Sequence, residues 1–323
     1  MTLRDLYEAS IEIGREVDPR GRGTLDRQLE QRQQEYAALP DWRKPYYEQE
    51  RLHNPYGDVR IVNGPEDTEL DTIMLGINIW TQELLLADQL RSSGTRVDAV
   101  VSHHTNSIGV PADTLVYDSV PYLVDLLEGA GVSRADAEPH IDNMMTDRWL
   151  NAEDFNRIGK DTAKLLGFPL ACIHTPADFH HGRGVRGAIE AANAQTVGDV
   201  VEALLALPEF QGAAKIGAIP RIMAGDAGQP AGRIFHQDGG GWLVPAEVIP
   251  LLKEAGVGTF VTIGCSAEHQ KKAQELGMGW VRMPHNACDN VGLNLLLDKV
   301  EQRLGPLNVI ACNYFERIRR NSN

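Results

Sequence analysis

Apolar side chains recur at Leu3, Leu6, Ile13 and Val17, with Ser10 on the same stripe, the spacing of a short amphipathic helix that Pro19 closes. The Glu- and Gln-rich run after it predicts a loop and a solvated second helix ended by Pro40. Residues 41–64 follow neither period and carry Trp42, Tyr46, Tyr47, Tyr56, Pro45 and Pro55, which predicts an irregular arm anchored by aromatic rings. From residue 72 the grammar changes: TIMLGINI (72–79) is β-like, TQELLLADQLRSS (81–93) is helical with Thr81 as N-cap, and VDAVVS (97–102) is an apolar strand. This β-α-β unit predicts a parallel pair in an α/β sheet buried on both faces. A largely helical stretch is expected from 117 to 167, then a strand over 168–174 and helices near 184–193 and 196–206. The segment 212–244 is rich in Gly and Pro, with one strand in GRIFHQ. Beyond it, helices over 244–256, 267–277 and 289–305 alternate with strands over 258–264, 280–284 and 307–312. The pattern predicts an arm over 1–64, a first α/β lobe over 65–206 with a helical insertion at about 107–167, and a second α/β lobe over 207–323. No close repeat or low-complexity tract interrupts it.

Composition narrows the partners. With 31 Lys+Arg against 45 Asp+Glu the formal charge of the 323 residues is −14, which repels phosphate backbones and anionic lipid head groups. Nucleic acid is therefore disfavoured as a partner. Apolar residues at 42% and charged ones at 24% argue for an ordinary globular chain, and no run approaches the length of a membrane span. The first residues lack the apolar core of a secretory leader, so a cytoplasmic location is expected. Cys172, Cys265, Cys288 and Cys312 form no Cys-x-x-Cys pair, which signals neither a zinc knuckle nor a disulfide framework. Reduced, mostly buried thiols are expected.

In α/β sheets ligands bind beyond the carboxyl ends of the strands, and three such ends carry histidine. VVSHHTN supplies His103 and His104; ACIHTPADFHHG supplies His174, Asp178, His180 and His181; RMPHNACDN supplies His285 and Asp289 at i, i+4, behind Pro284. If 285–289 open a helix, imidazole and carboxylate share a face and could hold one divalent ion of zinc, iron, manganese or nickel. No single signal suffices, but three strand ends of this kind in a chain with 10 histidines make a coincidence that favours a metal site. GRGVRG (182–187) matches Gly-x-Gly-x-x-Gly but starts eight residues after the strand ends, without the β-α-β context of a dinucleotide site. Its glycines are expected to let the backbone pass close to the metal pocket and to start the next helix. Arg183 and Arg186 beside His180 and His181 could hold an anionic group, and Asp238-Gly239-Gly240-Gly241 could present N–H groups to a phosphate. Glu268 and His269, after the strand 258–264, are candidates for acid–base or supporting roles, whereas His53, His140 and His236 have no supporting context.

The order strand-His-His, then His-Thr-x-x-Asp after a later strand, then His-x3-acid at the last long helix, resembles the Nif-three family (NGG-one-interacting factor three proteins, also known as GTP cyclohydrolase I type 2 homologues). The likeness covers roughly residues 72–106, 168–193 and 236–312. It implies two α/β lobes with a dinuclear metal site between them, assembled as a homo-oligomer, a toroidal hexamer. It also implies the ligands His103, His104, Asp178 of HTPAD, His285 and Asp289. Asp289 stands where the family has Glu, Pro284 where it has Gly, and NPYGDVRIVNG where it opens with a WDN-GL-like motif. On this basis the expected function is hydrolysis by two divalent ions, zinc, iron, manganese or nickel, of a small molecule such as a purine nucleotide, with GTP ring opening the named possibility. Asp289 would bridge the ions, and His181 or Glu268 would shuttle protons. The competing expectation is a non-catalytic metal-binding regulator or interaction scaffold.

Overall fold

The computed structural model describes residues 1–109, 122–150, 157–237 and 243–320. The Asp238–Gly241 loop and parts of the expected 107–167 insertion lie outside them. The chain divides into two units, Met1–Asp118 with Asp154–Pro176 and Leu296–Asn313, and Ser119–Glu153 with Ala177–Leu295 and Tyr314–Asn323.

The first unit is built on a five-stranded sheet of order β1-β4-β3-β2-β9, from β1 (Val59–Asn63), β2 (Thr72–Gly76), β3 (Ala99–Ser102), β4 (Leu170–Ile173) and β9 (Asn308–Cys312). β2 runs parallel to β3 and β9, and β3 parallel to β4; β1 closes the edge antiparallel to β4. The central strands read as unbroken apolar runs because both faces are covered: Met74, Val100, Leu170 and Cys172 are fully buried with Leu84 and Ala87 of α3 (Thr81–Ser92) and Ala163 of α6 (Ile158–Leu166). α1 (Leu3–Val17) buries Leu3, Leu6 and Ile13, and its first turn is closed reciprocally by Thr2 and Asp5. α2 (Arg22–Ala38) buries only Leu25 and Leu29.

Three readings of local sequence change here. The segment expected to be an irregular arm ends in a strand, β1, and β9, read with the second lobe, pairs with β2 in the first sheet. β1 escapes notice because Arg60 interrupts its apolar run. That guanidinium is nonetheless buried, donating to the carbonyls of Tyr56 and Val59 at 2.8 Å and pairing with Glu48 at 3.1 Å. The helix over 81–92 is capped by Glu83, whose carboxylate accepts from the Trp80 N–H at 2.9 Å, so the flanking residue is Trp80 rather than Thr81.

The second unit carries a four-stranded sheet of order β5-β8-β7-β6, from β5 (Arg221–Ala224), β6 (Arg233–His236), β7 (Val257–Thr262) and β8 (Gly279–Arg282). β6, β7 and β8 are parallel and β5 is antiparallel to β8. Phe260 stacks on Trp280 with ring centroids 4.5 Å apart, and the Trp280 indole N–H donates to Thr262. Also in this unit are α4 (122–129), α5 (Arg134–Leu150), α8 (Val197–Leu205), α9 (Pro208–Lys215), α10 (Ile249–Glu254) and α11 (Ala267–Glu275). β5 and the second half of α9 fall in the Gly/Pro-rich stretch, where only the strand in GRIFHQ was expected.

The largest local difference is α7 (Thr175–Ala191), one continuous helix through Asp178, His181 and the GRGVRG glycines. It packs against the start of α12 (His285–Leu304) so closely that a Cβ on Gly292 would lie 2.1 Å from the Ala177 carbonyl oxygen, and one on Gly184 2.9 Å from Val291. Gly184 and Gly292 therefore serve helix–helix approach, where the motif was expected to pass a metal pocket. Gly187, with nothing within 4 Å, gains nothing from being glycine. Gly292→Ala is expected to cost at least about 2 kcal/mol in chemical denaturation, whereas Gly187→Ala should be neutral or stabilise by about 0.5–1 kcal/mol; equal effects would contradict the close approach.

Candidate metal centre

The parallel register of β3 and β4 pairs Ser102 with Cys172, so the residues that leave the two strands emerge side by side. They are His103 and His104 after β3, and His174 after β4. The ladder to β2 extends past the strand end: the His103 N–H donates to the Gly76 carbonyl at 3.0 Å and the His104 N–H to that of Ile77 at 2.8 Å. The backbone is thereby fixed while alternation has ended, and both rings turn to one side with centroids 4.8 Å apart. His174 joins them, 4.7 Å from His103 and 5.5 Å from His104.

Each ring is held by its Nδ1. That of His103 is 3.0 Å from the Ile173 carbonyl oxygen, that of His104 is 3.1 Å from Asn78 Oδ1, and that of His174 is 2.7 Å from Asp58 Oδ2. A carbonyl, an amide oxygen and a carboxylate only accept, so every Nδ1 carries a hydrogen. Asn106 Nδ2 donates to the same Asn78 oxygen at 3.0 Å, consistent with that orientation of the amide. Ligand atoms of the three imidazoles lie within 4.8 Å of one another. A carbonyl or carboxylate behind the far nitrogen is how metal-binding histidines are oriented.

In the second unit, α7 and α12 bring carboxylates and imidazoles together. Asp178 and Asp289 have oxygens within 4.8 Å of each other, and His285 Nε2 lies 3.4 Å from Asp289 Oδ1, as the i, i+4 spacing requires. Asp289 is buried, while the His285 side chain is about half exposed (48%). His181, one turn along α7 from Asp178, is buried with its Nε2 lacking any hydrogen bond. Burial pushes its pKa down to about 4, outweighing the opposing pull of Asp178 and Asp289. His181 is thus a neutral imidazole at pH 7. His236, at the end of β6, meets it edge-on with centroids 5.5 Å apart and has neither ring nitrogen hydrogen-bonded. Burial, then the proximity of His181 and Arg186, holds its pKa well below the usual range.

Of the expected ligands, His103 and His104 are thus brought together within the first unit, and Asp289 is brought close to Asp178 and to His285 within the second. Glu268 is placed otherwise: its exposed carboxylate faces Lys272 at 3.4 Å. His269 is a structural residue, with Ser266 Oγ on one ring nitrogen and the Val244 carbonyl on the other. Cys172 and Cys288 are buried free thiols whose pKa values burial raises. His174 stands outside the set supplied by family resemblance although it shares its strand end. Asp58, 116 residues before it, has no local signal in the sequence at all.

No family model matches the sequence, and no curated protein does. Among solved structures, a NIF3 superfamily protein from Sphaerobacter thermophilus matches with a TM-score of 0.70 and 28% identity, over 82% of this chain and 94% of that one. Reduced HcgD from Methanocaldococcus jannaschii is more distant, with a TM-score of 0.47 and 12% identity over 88% of this chain and 96% of that one. TTHA1606 from Thermus thermophilus has a TM-score of 0.44 and 13% identity, over 82% and 89%. The chain thus has the NIF3-like fold, on the strength of the first match. Its buried histidines and aspartates could hold a metal ion, and no described helix is long and apolar enough to cross a membrane.

The unbonded His236 ring makes a prediction. An unfolded histidine takes up a proton near pH 6.5, while the buried one resists it, so the stability tied to neutral His236 is complete above that pH and is lost on acidification. The loss approaches about 1.4 kcal/mol per pH unit below it. His236→Leu, which removes the buried polar nitrogens, should flatten the fall in Tm between pH 7 and pH 5; an unchanged slope would contradict the assignment.

Proposed function

We propose that this chain is a divalent-metal hydrolase that binds two ions through His103, His104, Asp178, His285 and Asp289 and acts on a small molecule. The observation that carries the reading is the common orientation of the strand-end imidazoles, each with Nδ1 on an oxygen acceptor, which in the neutral ring makes Nε2 the nitrogen that can ligate. Neutral imidazoles and ionised carboxylates are the donor types that zinc, iron, manganese and nickel accept. Bound ions would lower the pKa of water toward neutrality and polarise an electrophilic carbon or phosphorus.

The chain's own residues do the rest. Asn78 and the Ile173 carbonyl hold the two imidazoles in the ligating tautomer, and α12 sets His285 and Asp289 on one face. Of the two proton-handling candidates, His181 is favoured over Glu268. A buried imidazole kept neutral can accept a proton, whereas Glu268 is exposed and paired with Lys272. By resemblance the substrate is a purine nucleotide, with GTP ring opening the first reaction to assay, and the assembly is a homo-hexamer. The acidic chain, at −14, leaves attraction of an anionic substrate to the ions and to local arginines such as Arg183 and Arg186.

Elemental analysis after dialysis against zinc or manganese should give two ions per chain. His104→Ala and Asp289→Ala should each lower that number and abolish any nucleotide hydrolysis. Uptake of no zinc, manganese, iron or nickel would overturn the proposal, and metal uptake without turnover on any nucleotide or cyclic amide would leave only the regulator reading.

A further inference from the structure

Each sheet ends in two edge strands, and an edge offers its outward N–H and C=O groups to any chain that can pair with them. Three of the four edges are guarded. β1 carries Arg60 and a break in register between Ile61 and Asn63, β5 carries Arg221 and a break between Ile222 and Ala224, and β6 carries Arg233 and a break between Arg233 and Ile234. Charges and bulges are the devices that keep edges from pairing. Gln270 Nε2 further occupies β5 by donating to the Met223 carbonyl at 2.7 Å. β9 has none of these devices. It runs in unbroken register along β2 through five consecutive pairs and contains neither charge nor proline. Asn308 and Ala311 are exposed, and the residues between them are partly so.

The Asn308 N–H donates to the Asp71 carbonyl, on the β2 side, at 2.9 Å. Alternation keeps the main-chain groups of Ile310 and Cys312 on that side and turns those of Val309 and Ala311 outward. Among the described residues no other segment bonds them there. Two antiparallel copies of β9 related by a two-fold axis through Ile310 would set Val309 of each against Ala311 of the other, every such pair exchanging both of its N–H···O bonds. Ile310 then faces its own copy in the non-hydrogen-bonded position, where side chains approach most closely. The occupant that fits this edge is thus a strand identical to it, in the isologous contact that a two-fold axis generates. Charge agrees: residues 305–315 carry none, in a chain of formal charge −14. Such a strip neither repels an identical strip nor selects a charged peptide.

We propose that β9 pairs antiparallel with β9 of a second copy of this chain, joining two five-stranded sheets into one across a two-fold axis at Ile310. The inference rests on no part of the metal reading, and it gives the homo-oligomer named there a defined contact.

The test measures the mass of the full-length protein by analytical ultracentrifugation at micromolar concentration. The wild type should be a dimer or an even multiple of the chain. Ala311→Pro removes an N–H that the chain's own sheet does not use, a position where edge strands accept proline, so it should fold, by circular dichroism, and halve the mass. Ala311→Lys, which supplies the missing guard, should weaken association at least tenfold. In a Cys312→Ser background, Ile310→Cys should give a disulfide-linked dimer on mild oxidation. Asn308→Cys in the same background should not, because its two copies lie four residues apart at about 3.4 Å each, beyond the reach of a disulfide. A monomeric wild type, a folded Ala311→Pro of wild-type mass, or an Ile310→Cys that does not cross-link overturns the proposal. A monomer that binds a fluorescent peptide of sequence LNVIACN also overturns it, by assigning the edge to a foreign strand. Should Ala311→Pro fail to fold, Ala311→Lys and the cross-link decide. A hexamer that Ala311→Pro leaves intact keeps the assembly expected by resemblance and overturns only the β9 contact, whereas a wild-type dimer keeps the contact and ends the hexamer.

Discussion

The fixed register between β3 and β4 is the constraint on which the candidate chemistry of the first unit depends. Because Ser102 lies opposite Cys172, the chain leaves two neighbouring parallel strands at one level and delivers three imidazoles to one place. Main-chain bonds to Gly76 and Ile77 then hold His103 and His104 where strand alternation would have sent them to opposite sides. Oxygen acceptors on each Nδ1 finish the work by choosing the tautomer. Sheet geometry, backbone hydrogen bonding and proton position thus act in sequence, and a slip of one residue in the strand pair would undo all three.

In the second unit the corresponding constraint is helix proximity. Gly184 and Gly292 let α7 and α12 approach until a methyl group would collide with the facing helix. That closeness places Asp178 and His181 on one helix within reach of Asp289 on the other, away from solvent. Burial at that contact suppresses protonation of His181, and burial of the adjoining ring does the same for His236. The same packing that stabilises the unit therefore sets the protonation state of groups that a hydrolytic site would use.

Much of this was legible in the chain itself. The apolar runs at 72–79, 97–102 and 168–174 are read directly because central parallel strands must be apolar on both faces, and His285 with Asp289 follows from helical period alone. The NIF3-like resemblance, drawn from motifs covering part of the chain, agrees with a match in structure at 28% identity. What the sequence hid was non-local. Asp58 meets His174 only because β1 folds back against β4, and β1 is disguised by a buried arginine at position 60. The GRGVRG glycines are read as the start of a helix near 184, whereas α7 already runs through them from Thr175; the role of Gly184 appears only once the partner helix is in view.

The central claim is that the strand-end imidazoles form a metal site, and the most direct measurement is anomalous diffraction at the zinc edge from crystals grown with zinc. The expected result is zinc at about 2.0–2.1 Å from Nε2 of His103 and from Nε2 of His104, with each Nδ1 still on its oxygen acceptor. No anomalous peak at these residues, or a peak bonded through Nδ1, would contradict it.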